Sequence, residues 1–247
     1  FHAAEYDLVC LRRDYDFTFA NLERVALATA RYFKGHRKIR NGIVIGYDAR
    51  FMSREFAEKS AEVIANAGVR VKLADSIVTT PMISLMTKME QAAGGVVITA
   101  SHNPPKYNGF KIKGDFGGPA HPEMIARVEK ELARVMKLKT MPRGTYTFMQ
   151  LVDKGKIVPI SMKQRYLQDL ATKIDIASIK SAGIRILYDA MYGAGQNALR
   201  ESEYRFFQRF DIVIGDMAKT GHQRLKRLAV FGVVGGGERA HGAAVEA

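Results

Sequence analysis

The chain has 247 residues, of which 47% are hydrophobic, so it is long enough to bury an apolar core in one large or two small domains. It contains no run of about 18 apolar residues, which excludes a membrane-spanning helix, and its start lacks the pattern of a signal peptide. The single cysteine, Cys10, cannot form an internal disulfide, as is typical of a reducing compartment. We therefore predict a cytoplasmic protein with no membrane partner.

The net charge of +13 raises the possibility of a nucleic-acid partner, because clustered lysines and arginines neutralise phosphates. The basic residues are instead spread along helical segments with glutamates between them. Arg127, Lys130 and Arg134, for example, alternate with Glu129 and Glu131. This pattern is typical of a solvated helix face, so we expect no nucleic-acid partner. A positive field would also suit an enzyme that binds anionic sugars.

Strands and helices alternate through the first half of the chain. Residues 18–35 have apolar side chains at helical spacing and end at Gly35. The apolar run 43–45 predicts a strand, and Ser53 is expected to cap the helix that follows. A strand over 69–73, a helix opening at Thr80 and Pro81, and a strand from Val96 come next. This alternation predicts an α/β fold with a mixed, mostly parallel sheet sandwiched by helices.

The second half of the chain is less regular. A helix begins at Pro122, and the periodicity is then lost around prolines and glycines between 141 and 160. We predict a first domain over 1–140, a linker over 141–160, and an incomplete second α/β domain of similar topology over 161–217. Within that domain we predict a helix over 161–176 and a strand over 184–187. Residues 218–247 show no sustained period and are predicted to form a divergent, poorly ordered tail.

Ser101 is the strongest candidate for a reactive residue. The apolar run 96–98 predicts a buried strand, and Pro104 with Pro105 can neither continue a helix nor donate to a sheet. Ser101 is therefore expected on a loop just past a strand end, where α/β proteins place reacting groups. Taken alone, a serine on a turn is more often a capping residue, and His102 alone is more often structural.

The residues around Ser101 resemble a known motif. The run from Thr99 to Pro104, followed by Asn108, Gly109, Phe110 and Lys111, resembles the phosphoserine loop of the α-D-phosphohexomutases, the phosphoglucomutase and phosphomannomutase family. Gly46, Asp48, Arg50 and Ser53 resemble the G-x-D-x-R-x-x-S segment of the family's first domain. Residues 189–195 (DAMYGAG) resemble the opening strand and loop of its second domain. The resemblance covers roughly residues 14 to 200.

The resemblance implies a reaction and roles for individual residues. In this family a phosphoserine, here Ser101, gives its phosphoryl group to a hexose monophosphate, so that hexose 1-phosphate and hexose 6-phosphate interconvert through a hexose 1,6-bisphosphate. That bisphosphate also serves as the activator. Lys111 corresponds to the general acid/base. The alternation of apolar and basic residues from Phe110 to Lys113 also fits an ordinary strand with a solvated lysine face. The resemblance makes the remaining site residues orienting or supporting groups of the loop and its substrate: His102, Asn103, Asn108, Arg50 and Asp48. Of these, Asp48 and Arg50 are expected to form an ion pair.

The family's metal and sugar motifs are absent from these 247 residues. Members of the family bind Mg²⁺ through three aspartates of a D-G-D-x-D-R loop, to which the serine phosphate adds an oxygen. Asp216 stands alone here, and one carboxylate is a poor Mg²⁺ site. The G-E-x-S-G and R-x-S-G-T segments are also missing. We therefore expect a truncated, inactive phosphohexomutase fragment, with glucose favoured as the sugar. The alternative is a non-catalytic module that binds sugar phosphates or another protein.

Overall fold

A computed structural model of the chain describes residues 10–12, 17–182, 187–188, 190, 192–195 and 211–212. The chain divides into two units, Phe1–Tyr166 and Leu167–Ala247. Among the described residues, every helix is too short or too polar to cross a membrane. The cytoplasmic location stays a prediction.

The first unit contains most of the described helices and strands. In chain order they are β1 (Cys10–Arg12), α1 (Phe19–Lys34), β2 (Ile43–Tyr47), α2 (Ser53–Asn66), β3 (Val71–Ala74), α3 (Thr80–Met89), β4 (Gly94–Ile98), β5 (Tyr107–Lys113), α4 (Pro122–Met136), α5 (Phe148–Asp153), β6 (Ile157–Ile160) and the start of α6 (Met162–Ala171). Thr18 caps α1 by accepting a hydrogen bond from the backbone N–H of Asn21, as its type predicts.

The sheet is mixed and mostly parallel, as the sequence predicts. Within the described residues its strand order is β1-β5-β4-β2-β3-β6. Strand β2 runs parallel to β3 and β4, and β3 runs parallel to β6, whereas β5 is antiparallel to both of its neighbours. Tyr47 pairs with Ile98, so β2 and β4 end side by side. This register brings the loop after β2 next to the loop after β4.

Helices cover both faces of the sheet. A side chain at Gly94 would collide with Phe33 of α1, whereas one at the next residue, Gly95, would collide with Thr87 of α3. Successive residues of a strand point to opposite faces, so α1 and α3 lie on opposite sides. Strands β2 and β4 are buried along their whole length, which explains their continuous apolar sequence. The predicted sandwich is confirmed.

The predicted linker over 141–160 is wrong for most of its length. Helix α5 begins with a capping box in which Thr147 and Gln150 bond each other's backbone N–H groups. Strand β6 then pairs with β3, with Pro159 opposite Leu73. Proline has no backbone N–H to donate to a neighbouring strand. It is tolerated in β6 because β6 is at the edge of the sheet and has a neighbour on one side only. The prolines and glycines of this segment therefore mark an edge, not a linker.

The second unit is described only in part. Helix α6 ends at Ala171 and α7 (Ile176–Ser181) follows, so the single helix predicted over 161–176 is interrupted. Strands β7 (Leu187–Tyr188) and β8 (Asp211–Ile212) pair in parallel. Asp189, Asp216 and the predicted tail over 218–247 lie outside the described residues. The boundaries of the second domain and the tail stay predictions.

Candidate active site

Ser101 lies in the loop that joins β4 to β5, which we call the serine loop (residues 99–106). Its side chain is exposed, and its Oγ lies 3.5 Å from Nδ1 of His102. The backbone of Ser101 is left-handed, with φ of +56°. A residue with a side chain rarely adopts this conformation, which costs on the order of 1–3 kcal/mol and is enriched at functional sites, although Met52, Gln91 and Tyr192 adopt it here as well. The side chain of Ser101 is thus exposed to solvent, and contacts with surrounding residues must stabilise its left-handed backbone conformation.

Arg50 holds the serine loop through its backbone carbonyls. Its Nη2 donates hydrogen bonds to the carbonyl oxygens of Ser101, at 2.9 Å, and Asn103, at 2.6 Å. Its Nη1 donates to those of Pro104, at 3.0 Å, and Tyr107, at 3.1 Å. The guanidinium therefore gathers four carbonyls from a segment more than fifty residues away in sequence.

The guanidinium of Arg50 also forms an ion pair with Asp48. Nε of Arg50 lies 3.3 Å from Oδ2 of Asp48, so the expected ion pair is present. A guanidinium has five N–H donors in a fixed planar arrangement, and four hydrogen bonds from its two terminal nitrogens go to backbone carbonyls. Arg50 is therefore mainly a support of the loop backbone.

Asp48 links the ends of β2, β4 and α2. Its Oδ1 accepts hydrogen bonds from the backbone N–H of Arg50, at 2.9 Å, and from Oγ of Ser53, at 2.8 Å. Its Oδ2 accepts from Oγ1 of Thr99, at 2.5 Å. The same Thr99 hydroxyl accepts from the backbone N–H of Ser101, at 3.0 Å. A continuous chain of hydrogen bonds thus runs from Asp48 to the backbone of the candidate nucleophile.

Ser53 does not cap α2, contrary to the sequence expectation. Met52 occupies the N-cap position in a left-handed conformation, and Ser53 is the first helical residue. The Ser53 hydroxyl is instead turned toward Asp48 and accepts a hydrogen bond from Nδ2 of Asn108, at 2.9 Å. Asn108 is buried, and its Oδ1 accepts from the backbone N–H of Gly109. Asn108 therefore ties β5 to α2 beneath the loop.

Lys111 lies within β5, opposite Val97 of β4. Strand alternation puts it on the same face as Gly109 and Thr99, which pair at the end of the two strands. Its side chain is half-buried, and that of Lys113 is only 8% exposed. The two lysines therefore differ in exposure, and the role of Lys111 as acid/base stays a prediction.

The network includes two hydroxyl residues, Thr99 and Ser53, that were not among the predicted site residues. Both belong to the motif segments of the sequence, which is the signal that could have identified them. A cavity of about 370 Å³ opens beside Arg50 and Asp48 and is also lined by Tyr47. Burial raises the pKa of Tyr47 above its ordinary value, so its hydroxyl is neutral near pH 7.

The described residues do not fit Mg²⁺. Within the part of the chain that the structure describes, no group of three or more His, Cys, Asp or Glu residues could hold a metal ion. Both oxygens of Asp48 already accept hydrogen bonds, and Mg²⁺ requires several oxygen ligands in octahedral geometry. The role of a phosphate on Oγ of Ser101 as a metal ligand stays a prediction.

Comparison with known proteins agrees with the fold and the loop. The family model described as phosphoglucomutase/phosphomannomutase, alpha/beta/alpha domain I, matches residues 9–139, which is more than half of the chain. The chain belongs to the phosphoglucomutase/phosphomannomutase family. The matched residues include the serine loop, Arg50 and Asp48.

Relatives in this family are longer than the chain. A phosphoglucomutase of Staphylococcus saprophyticus is 29% identical over 190 residues, which are 75% of this chain and 34% of the relative. A phosphoglucomutase of Staphylococcus aureus is 44% identical over 96 residues, or 39% of this chain and 17% of the relative. The crystal structure of a candidate phosphomannomutase from Thermus thermophilus has a TM-score of 0.68 at 27% identity and covers 81% of this chain and 42% of that one. The chain thus spans about a third of the length of the first relative.

Proposed function

We propose that this chain carries the phosphoserine of a phosphohexomutase, with Ser101 as the residue that exchanges a phosphoryl group with hexose phosphates. The observation that carries the proposal is the geometry of the serine loop. An exposed serine has a left-handed backbone, and Arg50 donates four hydrogen bonds to carbonyls of the loop and of Tyr107 just after it. Membership of the phosphohexomutase family supports the reaction class.

The proposed reaction consists of two phosphoryl transfers. A sugar hydroxyl attacks the phosphorus of phosphorylated Ser101, the bond from phosphorus to Oγ breaks, and Lys111 passes the proton of the hydroxyl to the departing Oγ. In the second transfer Oγ of Ser101 attacks the other phosphorus of the resulting hexose 1,6-bisphosphate, the bond from that phosphorus to the sugar oxygen breaks, and Lys111 takes the proton of the serine hydroxyl. Lys111 returns the proton to the departing sugar oxygen. The net change is the interconversion of hexose 1-phosphate and hexose 6-phosphate, and the bisphosphate acts as activator because it phosphorylates a free Ser101.

The loop geometry supports a role in binding the negative charge of the transferred group. Four carbonyl oxygens of the loop region accept hydrogen bonds from the guanidinium of Arg50, so a positive charge offsets their partial negative charges beside Ser101. Phosphoryl transfer depends mostly on positioning and on electrostatic stabilisation, which a preorganised loop supplies without rearrangement. His102 and Asn103 are proposed to orient the phosphate by hydrogen bonds.

We further propose that the 247 residues alone turn over little substrate. Their sequence contains no D-G-D-x-D-R segment, and the described residues form no Mg²⁺ site. The charge-stabilising contribution of a metal to phosphoryl transfer is worth several kcal/mol. The chain would then accept a phosphoryl group stoichiometrically without efficient multiple turnover. Glucose phosphates are the proposed substrates, ahead of mannose phosphates.

The proposal is tested by intact-mass spectrometry after incubation with glucose 1,6-bisphosphate and Mg²⁺. We expect the mass to rise by up to a single phosphoryl group per chain. Ser101→Ala should show no increase, whereas Ser181→Ala, which removes an exposed serine outside the loop, should behave as the wild type. Equal phosphorylation of Ser101→Ala would overturn the proposal. Binding of glucose 6-phosphate without any phosphorylation of Ser101 would favour the non-catalytic alternative.

A further inference from the structure

A cleft of about 350 Å³ lies between α1 and α4, away from the serine loop. It has a strongly basic lining. The residues that form it include Arg31, Tyr32, Arg127, Lys130, Glu131 and Arg134. We call it the basic cleft. None of these residues belongs to the serine loop or to the residues that hold it.

The basic cleft arises from helical spacing. Arg127, Lys130 and Arg134 are separated by three and four residues, so they share one face of α4, and Arg31 of α1 lines the same cleft. In the sequence these cations alternate with glutamates, which led to the interpretation of a solvated face of mixed charge. Folding into a helix places three of these cations and only one of the two glutamates, Glu131, in the cleft, whereas Glu129 does not line it.

The acidic groups near the basic cleft already have partners. Glu131 accepts a hydrogen bond from Arg134. Asp115, which also faces the cleft residue His36, lies 2.8 Å from Nζ of Lys38. Among the ion pairs within the described part of the chain, none includes the remaining three cations, which are Arg31, Arg127 and Lys130. The cleft therefore keeps an excess of positive charge.

Tyr32 adds a polar group to this charged lining. Burial raises the pKa of its phenol above the ordinary value, although the positive charge of Arg127 opposes this rise. The hydroxyl therefore stays protonated at neutral pH and can donate a hydrogen bond to an anion. The positively charged side chains of the cleft also repel one another, and a bound anion would reduce this repulsion.

We propose that the basic cleft binds a small phosphate-bearing anion. Guanidinium groups bind phosphate oxygens in pairs of parallel hydrogen bonds, and two or more arginines can reach one ligand here. A volume of about 350 Å³ accommodates a small molecule but not a folded partner. This site is separate from the proposed phosphoryl transfer at Ser101 and requires no reaction.

The test is a calorimetric titration of inorganic pyrophosphate into the 247-residue chain at constant ionic strength. We expect saturable binding that is weakened about tenfold or more in Arg127→Glu/Lys130→Glu, because two attractive charges become repulsive. The matched control is Lys88→Glu/Lys139→Glu, which reverses two exposed charges outside the cleft and should leave the affinity unchanged. Ser101→Ala should also bind as the wild type does, which separates this site from the serine loop.

Two outcomes would overturn the proposal. The first is equal affinity in the cleft variant and its matched control. The second is a heat signal no larger than that of sodium chloride at the same ionic strength. Arg31→Gln, a milder change at the same cleft, should weaken binding in the same direction and covers the case in which the double variant does not fold. Parallel titrations with glucose 6-phosphate and ADP distinguish a sugar phosphate from a nucleotide as the preferred source of the phosphate.

Discussion

Arg50 is the residue on which the serine loop depends most. A single guanidinium, 15% exposed, replaces water as the partner of four carbonyls and also contacts Asp48. Lysine has three donors on a flexible stem and cannot reproduce this planar arrangement. The charge of Arg50 is therefore less important than the directions of its N–H bonds.

We expect Arg50→Lys to lower the free energy of unfolding by about 1–3 kcal/mol, because several backbone carbonyls lose hydrogen bonds to a charged donor. It should also speed the hydrogen exchange of residues 101–107. Urea denaturation and exchange measured by mass spectrometry check the two effects. Arg54→Lys is the control, since Arg54 pairs with Glu58 on an exposed helix surface and should change stability by less than about 1 kcal/mol. Equal stability and equal exchange in the two variants would contradict this account.

At the residue scale, the sequence predicted which groups belong together but not how they connect. The ion pair of Asp48 and Arg50 follows from opposite charges two positions apart after a strand. The bonds from Arg50 to Pro104 and Tyr107 join positions 54 and 57 residues apart, and no local pattern encodes them. Ser53 was expected to cap a helix because capping depends on nearby residues, whereas its partner Asn108 lies 55 residues away on β5.

At the scale of elements, Gly94, the first residue of β4, lies so close to α1 and β5 that a side chain would not fit there. A Cβ atom on Gly94 would lie 2.5 Å from Phe33 of α1 and 2.6 Å from the backbone oxygen of Lys113 in β5. The backbone oxygen cannot move without disturbing the pairing that leads into the serine loop. Gly94 is therefore required by the close approach of two strands and a helix.

We expect Gly94→Ala to destabilise the fold by about 2–3 kcal/mol through this collision. Thermal and urea unfolding provide the measurement. Gly35→Ala is the matched control, because its Cβ would meet only the backbone oxygen of Tyr32 at 3.8 Å, and its effect should stay within about 0.5 kcal/mol. Similar unfolding free energies for the two alanine variants would show that β4 packs differently.

Glu90 connects three elements and makes stability depend on pH. It lies 2.5 Å from Lys72 of β3 and also accepts a hydrogen bond from Arg165 of α6. Burial alone would raise the pKa of Glu90, but the hydrogen bonds from Lys72 and Arg165 outweigh it and lower the pKa below its ordinary value near 4.5. A lowered folded-state pKa means that the carboxylate stabilises the fold above about pH 4.5, and that this contribution is lost as the pH falls through the folded value.

We therefore expect Glu90→Gln to reduce the free energy of unfolding by about 1–3 kcal/mol at pH 7, where the charged hydrogen bonds are complete. The difference from the wild type should shrink steadily below about pH 4.5. Urea denaturation at pH 7, 5 and 3 measures it. A difference that stays constant over this range would show that Glu90 acts through packing and not through its charge.

The alternation of strands and helices was predictable because apolar runs and helical spacing are local signals. Strand β6 was missed because Pro159 and Gly155 normally interrupt regular structure, and only the position of β6 at the sheet edge makes the proline harmless. The antiparallel placement of β5 also depends on contacts across the sheet and not on its own sequence.

At the scale of the whole molecule, the 247 residues contain the serine loop that we propose carries the phosphoryl group, and they contain no D-G-D-x-D-R segment. We expect glucose 1-phosphate to be converted to glucose 6-phosphate no faster than by Ser101→Ala, in a coupled assay with Mg²⁺ and glucose 1,6-bisphosphate. A turnover number that depends on Ser101 and lies near one per second or above, as is common for enzymes, would contradict this expectation.

The most direct test of the central claim is to locate the phosphoryl group by peptide mass spectrometry after exposure to glucose 1,6-bisphosphate. We expect this group to lie on Ser101, to be absent from that peptide in Ser101→Ala, and to accumulate more slowly in Arg50→Lys than in Arg54→Lys. A phosphoryl group on another residue, or none on Ser101 after prolonged incubation, would contradict the claim that the loop held by Arg50 presents a phosphate carrier.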